Sequence, residues 1–358
     1  MRLVRGSVAL LALAAACGGL ASIDELPPEA GAPDATAPPP TDAPPGALDA
    51  PAPPLDAPAE SDAPLDAGAD ADADAGLDAS ADADADAVDA APDPVLVRFA
   101  VVGDYGNGSG RELLVANLIA SWAPEFIVTT GDNDYASPHA YDDTVGKFYH
   151  SFIAPYAGAY GAGAAANAFF PAIGNHDWDG DNGAAYFDFF ELPGNERYFE
   201  LDKGPVHFVF LDSDTAREVD GTSPGSTQGL WAQAALSASA APFQFVVFHH
   251  PAYTSGGRTA EMDWPYKAWG ADVVLTGHVH NYERLRSAAG LQYFVNGQGG
   301  VSTSSFGPIH PSSQLRFNAK DGAQLVEVGN ARARFRYYDV DGTLQDDITL
   351  DATGALAD

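Results

Sequence analysis

Basic residues and cysteine are scarce in this sequence of 358 residues. Lys and Arg together number 17 against 50 Asp and Glu, so the formal net charge is −33. Because nucleic-acid-binding domains need basic surfaces, this balance predicts no nucleic-acid partner. The one cysteine, Cys17, excludes internal disulfide bonds. The uninterrupted small-apolar run of residues 8–16 is too short for the roughly 20 residues of a transmembrane helix.

Residues 1–17 have the pattern of an export signal peptide. Two arginines precede the apolar run, and Cys17 follows Leu13-Ala14-Ala15-Ala16. This ending resembles the lipobox of bacterial lipoproteins, in which the cysteine is lipidated, although a larger aliphatic residue is usual in the place of Ala14. We therefore predict an exported lipoprotein, anchored through Cys17 to a bacterial outer membrane or cell surface. The alternative is an ordinary cleaved signal with an incidental cysteine, and a periplasmic or secreted product.

Residues 18–95 consist almost entirely of Ala, Asp, Pro and Gly, with 19 acidic residues and no Lys or Arg. Alanine offers little area to bury and the aspartates repel one another, so a disordered linker is predicted. It either lifts a folded domain off a membrane or is a spacer without a task, and the sequence leaves both open. Residues 96–358 are numerous enough for one substantial core and are predicted to form the folded domain.

Within residues 96–358, five apolar strand candidates each end in a Gly or polar cluster that contains Asp, Asn or His. Ligands of open α/β sheets collect at the carboxyl ends of strands, so these five clusters are expected to converge. The five strand candidates are residues 97–102, 126–130, 169–173, 243–248 and 271–275. Helices are predicted at 110–122 and around 230–238, and later strands at 206–211, 291–295, 323–328 and 333–339, the last two as a hairpin.

His278 and His280 follow the fifth strand candidate and are two residues apart. In an extended backbone, side chains at this spacing fall on one face, roughly 6–7 Å apart. Gly277 lets the backbone come close to whatever the imidazoles hold. The spacing suits ligands of two neighbouring metal ions, although a His-x-His pair alone is as typical of a polar surface.

Five motifs in chain order make a specific resemblance. Together they resemble the calcineurin-like metallophosphoesterases, and Tyr135 with the extension at 281–284 resembles their purple acid phosphatase branch. The motifs are Gly-Asp-x-Gly at 103–106, Gly-Asp-x-x-Tyr at 131–135, Gly-Asn-His-Asp at 174–177, Val-x-x-His at 246–249 and Gly-His-x-His at 277–280. This resemblance implies an α/β fold, a four-layer α/β/β/α sandwich of two mixed β-sheets, with residues 96–358 as a single catalytic domain. One departure is Asp177, where the family more commonly has glutamate.

The resemblance also implies two metal sites that share one aspartate. Ferric iron would bind the first site, where a phenolate on iron colours the protein, and Fe2+, Zn2+ or Mn2+ would bind the second. A shared carboxylate suits ions about 3.5–4 Å apart. The implied ligands are Asp104, Asp132, Tyr135 and His280 for iron, and Asp132, Asn175, His249 and His278 for the divalent ion.

Such a metal pair implies hydrolysis of a small phosphate ester by attack of metal-bound hydroxide, with an acid pH optimum. His176 is the predicted catalytic residue, which contacts the phosphate or protonates the leaving oxygen. The alternative is a histidine that only orients Asp177 or another ligand. His250 and Arg258 are predicted substrate contacts, although a loop arginine is more often simply solvated. Thr259 stands where related enzymes often have a further histidine, which leaves leaving-group assistance open.

Three functions are compatible with these residues. The first is an exported phosphomonoesterase of the acid phosphatase type, which touches a membrane only through its N-terminal lipid anchor. The second is a phosphodiesterase or nucleotidase with the same site, a choice that the loops at 212–228 and 297–314 would decide. The third is a surface binding or adhesion lipoprotein on an inactive scaffold, which the presence of all seven motif ligands disfavours.

Overall fold

The computed structural model describes residues 93–257 and 262–357. The predicted signal peptide with Cys17, the linker up to residue 92, and Arg258 and Thr259 lie outside these ranges and stay predictions. Among the helices that are described, none combines the length and the apolarity needed to cross a bilayer.

In the part of the chain that the structure describes, the strands form one sheet of six and one of seven. In chain order they are Val97–Val102 (β1), Phe126–Thr129 (β2), Phe169–Pro171 (β3), Phe199–Lys203 (β4), Val206–Phe210 (β5), Phe243–Val247 (β6), Val273–Thr276 (β7), Tyr282–Arg286 (β8), Gln292–Asn296 (β9), Ser313–Phe317 (β10), Gly322–Val328 (β11), Arg332–Asp339 (β12) and Leu344–Asp351 (β13).

Both sheets are mixed. The first has the order β13-β12-β11-β1-β2-β3, and the second β10-β8-β9-β7-β6-β5-β4. Strands β1, β2 and β3 are parallel, as are β5, β6, β7 and β9, whereas β11–β12–β13 and the pairs β4–β5 and β8–β9 are antiparallel. The predicted hairpin of β11 and β12 is present.

Aromatic side chains fill the space between the two sheets. The ring of Phe99 in β1 meets that of Phe208 in β5 edge to face, with centroids 5.4 Å apart. The rings of Phe294 in β9 and Phe335 in β12 stack at 4.9 Å. Such rings bury 150–250 Å2 each, so this layer supplies much of the hydrophobic stabilisation.

The longer helices cover the outer faces. Helix α1, Gly110–Ser121, contacts β11 of the first sheet, and α5, Thr227–Ala238, contacts β5 of the second. Their N-caps are Ser109 and Ser226, whose hydroxyl groups accept backbone N–H groups of the first turn. The shorter helices are Lys147–Tyr149 (α2, between a π-turn at Asp142–Gly146 and a 3-10 turn at His150–Phe152), Asn175–Trp178 (α3), Ala184–Phe189 (α4) and Tyr266–Trp269 (α6). The predicted α/β sandwich of two mixed sheets is therefore confirmed.

Candidate metal centre

The carboxyl ends of five strands meet at one edge of the sandwich. The adjacent strands β1, β2 and β3 lead to Asp104, Asp132 and Asn175, and the adjacent strands β6 and β7 lead to His249 and the His278–His280 pair. The predicted convergence of the five motifs is thus what the topology produces, because parallel neighbours end on the same side of a sheet.

The first predicted ligand group is centred on the phenol of Tyr135. Its oxygen lies 3.1 Å from Asp104 Oδ1, 2.9 Å from Asp132 Oδ2 and 3.2 Å from His280 Nε2. His280 Nε2 is also 3.3 Å from Asp104 Oδ1. Both aspartates are buried, so two carboxylates, a phenol and an imidazole face one another away from bulk water.

The second predicted group shares Asp132. His249 Nε2 lies 3.2 Å from Asp132 Oδ2 and 3.2 Å from His278 Nδ1. His249 Nδ1 is 2.8 Å from the carbonyl oxygen of Thr130, which can only accept, so Nδ1 carries a proton and Nε2 is the nitrogen that faces Asp132 and His278. Asn175 precedes His176, whose backbone N–H donates to Asp132 Oδ1. The Asn175 Oδ1 atom is buried and has no hydrogen-bond partner.

Three of these residues have left-handed backbone conformations that residues other than glycine rarely adopt. The φ angles are 56° at Asp104, 53° at Asp132 and 66° at His278. Each such conformation costs about 1–3 kcal/mol, and it persists only where the surrounding structure enforces it. Bringing these donors together therefore lowers the stability of the fold, and the rest of the structure must compensate for it.

Glycines before the ligands make this approach possible. A Cβ on Gly131 would lie 2.5 Å from His249 Nδ1, and its φ of +97° also disfavours a side chain. A Cβ on Gly277 would lie 2.6 Å from Asp104 Oδ2. Because Gly131 and Gly277 have no side chain, there is room beside them for His249 and Asp104, which come from other strands.

The charged groups of the candidate site shift one another's pKa values. Burial raises the pKa of Asp132, but its interactions with His249 and His176 outweigh burial and hold that pKa well below its usual range. Burial opposes protonation of His249, yet Asp132 raises the pKa of His249 to about 9. Burial together with Asp104 and Asp132 raises the pKa of Tyr135 well above its ordinary value. A cation among these groups would lower the pKa of Tyr135 and favour the phenolate.

These donors fit a pair of cations. The buried Asn175 amide oxygen has no hydrogen-bond partner, the ring nitrogens His249 Nε2 and His278 Nδ1 face each other at 3.2 Å, and two buried carboxylates lie within about 3 Å of one phenol. Cations among these groups would satisfy the amide oxygen and offset the two negative charges. Three anionic or ionisable oxygens suit a hard ion, and the nitrogen-richer group suits a borderline one. Asp132 contacts both groups and so can bridge them.

His176 lies between two cavities. A small one of about 130 Å3 is lined by Asp132, His176, His278 and His280, and a larger one of about 440 Å3 by Tyr135, His139, His176 and Asp179, among others. The His176 ring contacts that of Tyr135 at a tilt of 39°, with centroids 4.3 Å apart. Its Nδ1 lies 3.3 Å from Asp179 Oδ2, so the ring faces Asp179.

Asp177 is held by groups other than His176. Its carboxylate accepts hydrogen bonds from the backbone N–H groups of Gly174 and Asn133 and from the Tyr141 hydroxyl.

His250 is also close to the centre. Its ring lies 4.4 Å from that of His278, centroid to centroid, and His249, His250 and His278 can each bring a ring nitrogen within 4.8 Å of the others. The Ser213 hydroxyl is 2.8 Å from His250 Nδ1 and accepts the backbone N–H of His250. Arg258, the other predicted substrate contact, is outside the described residues.

Some supporting residues were not predicted. Ser302 bonds Nδ1 of His280, Thr130 accepts from His249, and Ser213 and Asp179 contact His250 and His176. Thr130 precedes a predicted motif and could have been suspected. The others reach the site from loops in which no spacing or repeat distinguishes them.

Comparisons with known proteins agree with this geometry. A family model described as calcineurin-like phosphoesterase matches residues 97–282. The chain is similar to purple acid phosphatase 7 of Arabidopsis thaliana, with 23% identity over 278 residues, 69% of this chain and 83% of that protein. It is similar to purple acid phosphatase 15 of the same plant, with 27% identity over 252 residues, 59% of this chain but only 46% of that longer protein.

A solved structure with a similar fold is that of "GAP50 the anchor in the inner membrane complex of Plasmodium". Its TM-score is 0.56 at 18% identity, and the match covers 71% of this chain and 88% of that one. At this identity the likeness concerns the fold alone. The family model, in contrast, matches more than half of the chain and spans all five motifs. This chain belongs to the calcineurin-like phosphoesterase family.

Proposed function

We propose that this protein is an exported phosphomonoesterase of the purple acid phosphatase type, with Asp104, Asp132, Tyr135 and His280 as ligands of Fe3+. Asp132, Asn175, His249 and His278 would hold Fe2+, Zn2+ or Mn2+. The observation that carries the proposal is the set of contacts that join Asp104, Tyr135, His249, His278 and His280 around the shared Asp132, at the edge where β1, β2, β3, β6 and β7 end. Asn175 follows β3 at the same edge, and its buried Oδ1 has no hydrogen-bond partner.

When bound, the two cations supply positive charge for the phosphoryl oxygens and acidify a water molecule, and a trivalent ion does so strongly enough for an acid pH optimum. The chain's own residues then position the ester. The small cavity beside Asp132, His278 and His280 is of a size for a phosphoryl group, and the larger cavity beyond His176 is the place for the alcohol part.

His176 would act as the general acid. It stands where the two cavities adjoin, and therefore beside the bond between phosphorus and the leaving oxygen. Its ring is partly exposed and contacts the ring of Tyr135, which leaves Nε2 able to donate a proton to that oxygen. His250, next to His278, and Arg258 would contact phosphoryl oxygens.

Attachment to a membrane remains a proposal from residues 1–17. Lipidation at Cys17 would place the domain on a bacterial outer membrane or cell surface, with the linker as its tether. A protein without the lipid would be periplasmic or secreted. The partner in each case is a small phosphate ester.

Metal analysis and turnover test the proposal directly. We expect two metals per full-length chain and hydrolysis of 4-nitrophenyl phosphate with an acid optimum. Asn175→Ala or His249→Ala should remove the second metal and at least 99% of turnover, since a lost ligand costs both affinity and charge stabilisation. The exposed Asn330→Ala is the matched control and should change neither.

Full activity in Asn175→Ala or His249→Ala, or a mononuclear wild-type protein, would contradict the two-metal scheme. Faster cleavage of bis(4-nitrophenyl) phosphate than of the monoester would favour the phosphodiesterase alternative. Metal binding without cleavage of either ester would favour a binding protein.

A further inference from the structure

A chain of ion pairs extends from His176 into the following loops. His176 Nδ1 lies 3.3 Å from Asp179 Oδ2. The other oxygen of Asp179 lies 2.8 Å from Arg217 Nη2, and Arg217 Nη1 lies 2.7 Å from Asp214 Oδ2. Asp214 is buried, so the far end of this chain is fixed in the protein.

The backbone of Asp179 is held separately by His139. His139 Nε2 lies 2.7 Å from the Asp179 carbonyl oxygen, and its Nδ1 lies 3.1 Å from Asp134 Oδ2. Both partners can only accept, so both ring nitrogens of His139 donate. Burial opposes this charge, but the Asp179 carbonyl and the Asp134 carboxylate outweigh burial and raise the pKa of His139. Asp179 is therefore anchored through both its side chain and its backbone.

We propose that Asp179 is a positioning residue, which fixes the His176 ring with Nδ1–H toward its own carboxylate and Nε2 toward the leaving oxygen. The inference rests on the proposed function, since it assigns the orientation of the general acid in that reaction. No sequence motif singles out Asp179.

A second contact is needed because the ring contact with Tyr135 does not orient the imidazole. The His176 ring is tilted by 39° against that of Tyr135, and in such a contact the imidazole can still rotate by 180° about its χ2 bond. That rotation exchanges the positions of nitrogen and carbon atoms and would place a carbon atom where Nε2 is needed. The approach of Nδ1 to the Asp179 carboxylate at 3.3 Å favours one of the two orientations and the tautomer with the proton on Nδ1.

In this arrangement His176 gives its Nε2 proton to the leaving oxygen. The oxygen of a deprotonated water molecule forms a new bond to phosphorus as the bond between phosphorus and the leaving oxygen breaks, and the electron pair of the broken bond stays on the leaving oxygen. The leaving oxygen takes the proton from His176 Nε2 and departs as an alcohol. His176 is left neutral with its proton on Nδ1, where Asp179 accepts the hydrogen bond, and solvent returns the proton to Nε2 afterwards.

Leaving-group dependence in the full-length enzyme tests this role. Phenyl phosphate needs protonation of its leaving oxygen, and 2,4-dinitrophenyl phosphate does not. We expect Asp179→Asn to lower kcat for phenyl phosphate about tenfold, to change kcat for the dinitrophenyl ester less than twofold, and to leave both KM values within twofold. Arg217→Gln should shift the ratio in the same direction by a smaller factor. Asp188→Asn is the control, because it makes the same change of charge at an exposed position in α4.

The tautomer gives a readout that does not depend on turnover. Imidazole 15N chemical shifts of the chelator-treated full-length protein should show His176 with its proton on Nδ1 in the wild type and in Asp188→Asn, and a mixture of tautomers in Asp179→Asn. Circular dichroism checks folding of each variant, and Arg217→Gln keeps the test open if Asp179→Asn is misfolded.

Equal loss of activity on both esters, or an unchanged tautomer in a folded Asp179→Asn, would overturn the inference. A wild-type protein that cleaves neither ester would refute the proposed function instead. The two failures are therefore distinguishable.

Discussion

Tyr135 shows how a single side chain can report on the metal centre. Its hydroxyl carries one proton but lies within 3.1 Å of two carboxylate oxygens, which can only accept. One of these contacts is therefore an oxygen–oxygen approach without a hydrogen bond. The conflict disappears when the phenol is ionised and shares a cation with both carboxylates.

The test at this scale is Tyr135→Phe. We expect the wild-type protein to have a broad visible absorption band, because a phenolate transfers charge to ferric iron, and the variant to lose it while other ligands remain. Absorbance and iron content are measured together. Tyr160→Phe is the control, since that hydroxyl donates to Asp143 on the surface. A colourless wild type, or a band that survives in Tyr135→Phe, would contradict the assignment of iron.

The seven candidate ligands were predicted through the resemblance of five motifs to the calcineurin-like metallophosphoesterases. The sequence itself adds that the motifs follow strand candidates and that glycines precede Asp104, Asp132, Asn175 and His278. It could not predict Asp179, Ser213 or Ser302. These residues contact the site across loops, and only the tertiary structure brings them near a histidine.

Strands and helices were predictable to the extent that burial marks them. The continuous apolar runs that became β1, β2, β6 and β7 are buried on both faces, as in a covered sheet. The strands that were missed, β4, β8, β10 and β13, carry alternating or charged residues. Three of them are sheet edges, and such strands owe their conformation to cross-strand contacts, for example the ion pair of Arg334 with Asp347.

Helix α1 contains a buried carboxyl group with a consequence for stability. Glu112 accepts hydrogen bonds from the N–H groups of Asn107 and Gly108, yet its Oε1 is buried without a partner. Burial raises the pKa of Glu112 from 4.5 to about 9. The folded state therefore binds one more proton than the unfolded state between these values, and stability falls as pH rises through this window.

Glu112→Gln should remove this pH dependence. The amide oxygen can still accept from Asn107 and Gly108, but the side chain no longer titrates. We expect the free energy of unfolding of the wild type to fall by up to about 1.4 kcal/mol more per pH unit than that of the variant between pH 5 and 9. Urea unfolding at several pH values measures it. The exposed Glu125→Gln should follow the wild type, and parallel curves for Glu112→Gln and wild type would disprove the assignment.

For the whole molecule, the described chain is fastened at its start by Asp93. One oxygen of this carboxylate accepts the N–H of Asn330, and the other accepts those of Ala331 and Arg332 in the turn between β11 and β12. The Leu96 N–H then donates to the Val328 carbonyl, which extends the pairing of β1 with β11. Within the described residues, Asp93 thus contacts the folded domain although it precedes residue 96, where the domain was predicted to begin.

Shortened chains test where the domain begins. A chain that starts at Asp93 should keep the metal content, kcat and Tm of the full-length protein. A chain that starts at residue 97 should keep kcat but lose roughly 4–8 °C in Tm. Four hydrogen bonds, three to Asp93 and one from Leu96, are removed from a domain of this size, and at about 0.5 kcal/mol each they contribute about 2 kcal/mol. Differential scanning calorimetry and steady-state kinetics measure both. Loss of kcat in the chain from Asp93 would show that the preceding residues take part in catalysis.

The Asp93 clamp and the catalytic groups sit at opposite ends of β1. β1 runs for six residues from Val97 to Val102, so its two ends lie about 17 Å apart. The hydrogen bonds of Asp93 are therefore made a full strand length from Asp104, which follows the other end of β1. A change at Asp93 should accordingly alter the anchoring of β1 without disturbing the geometry of the candidate metal ligands.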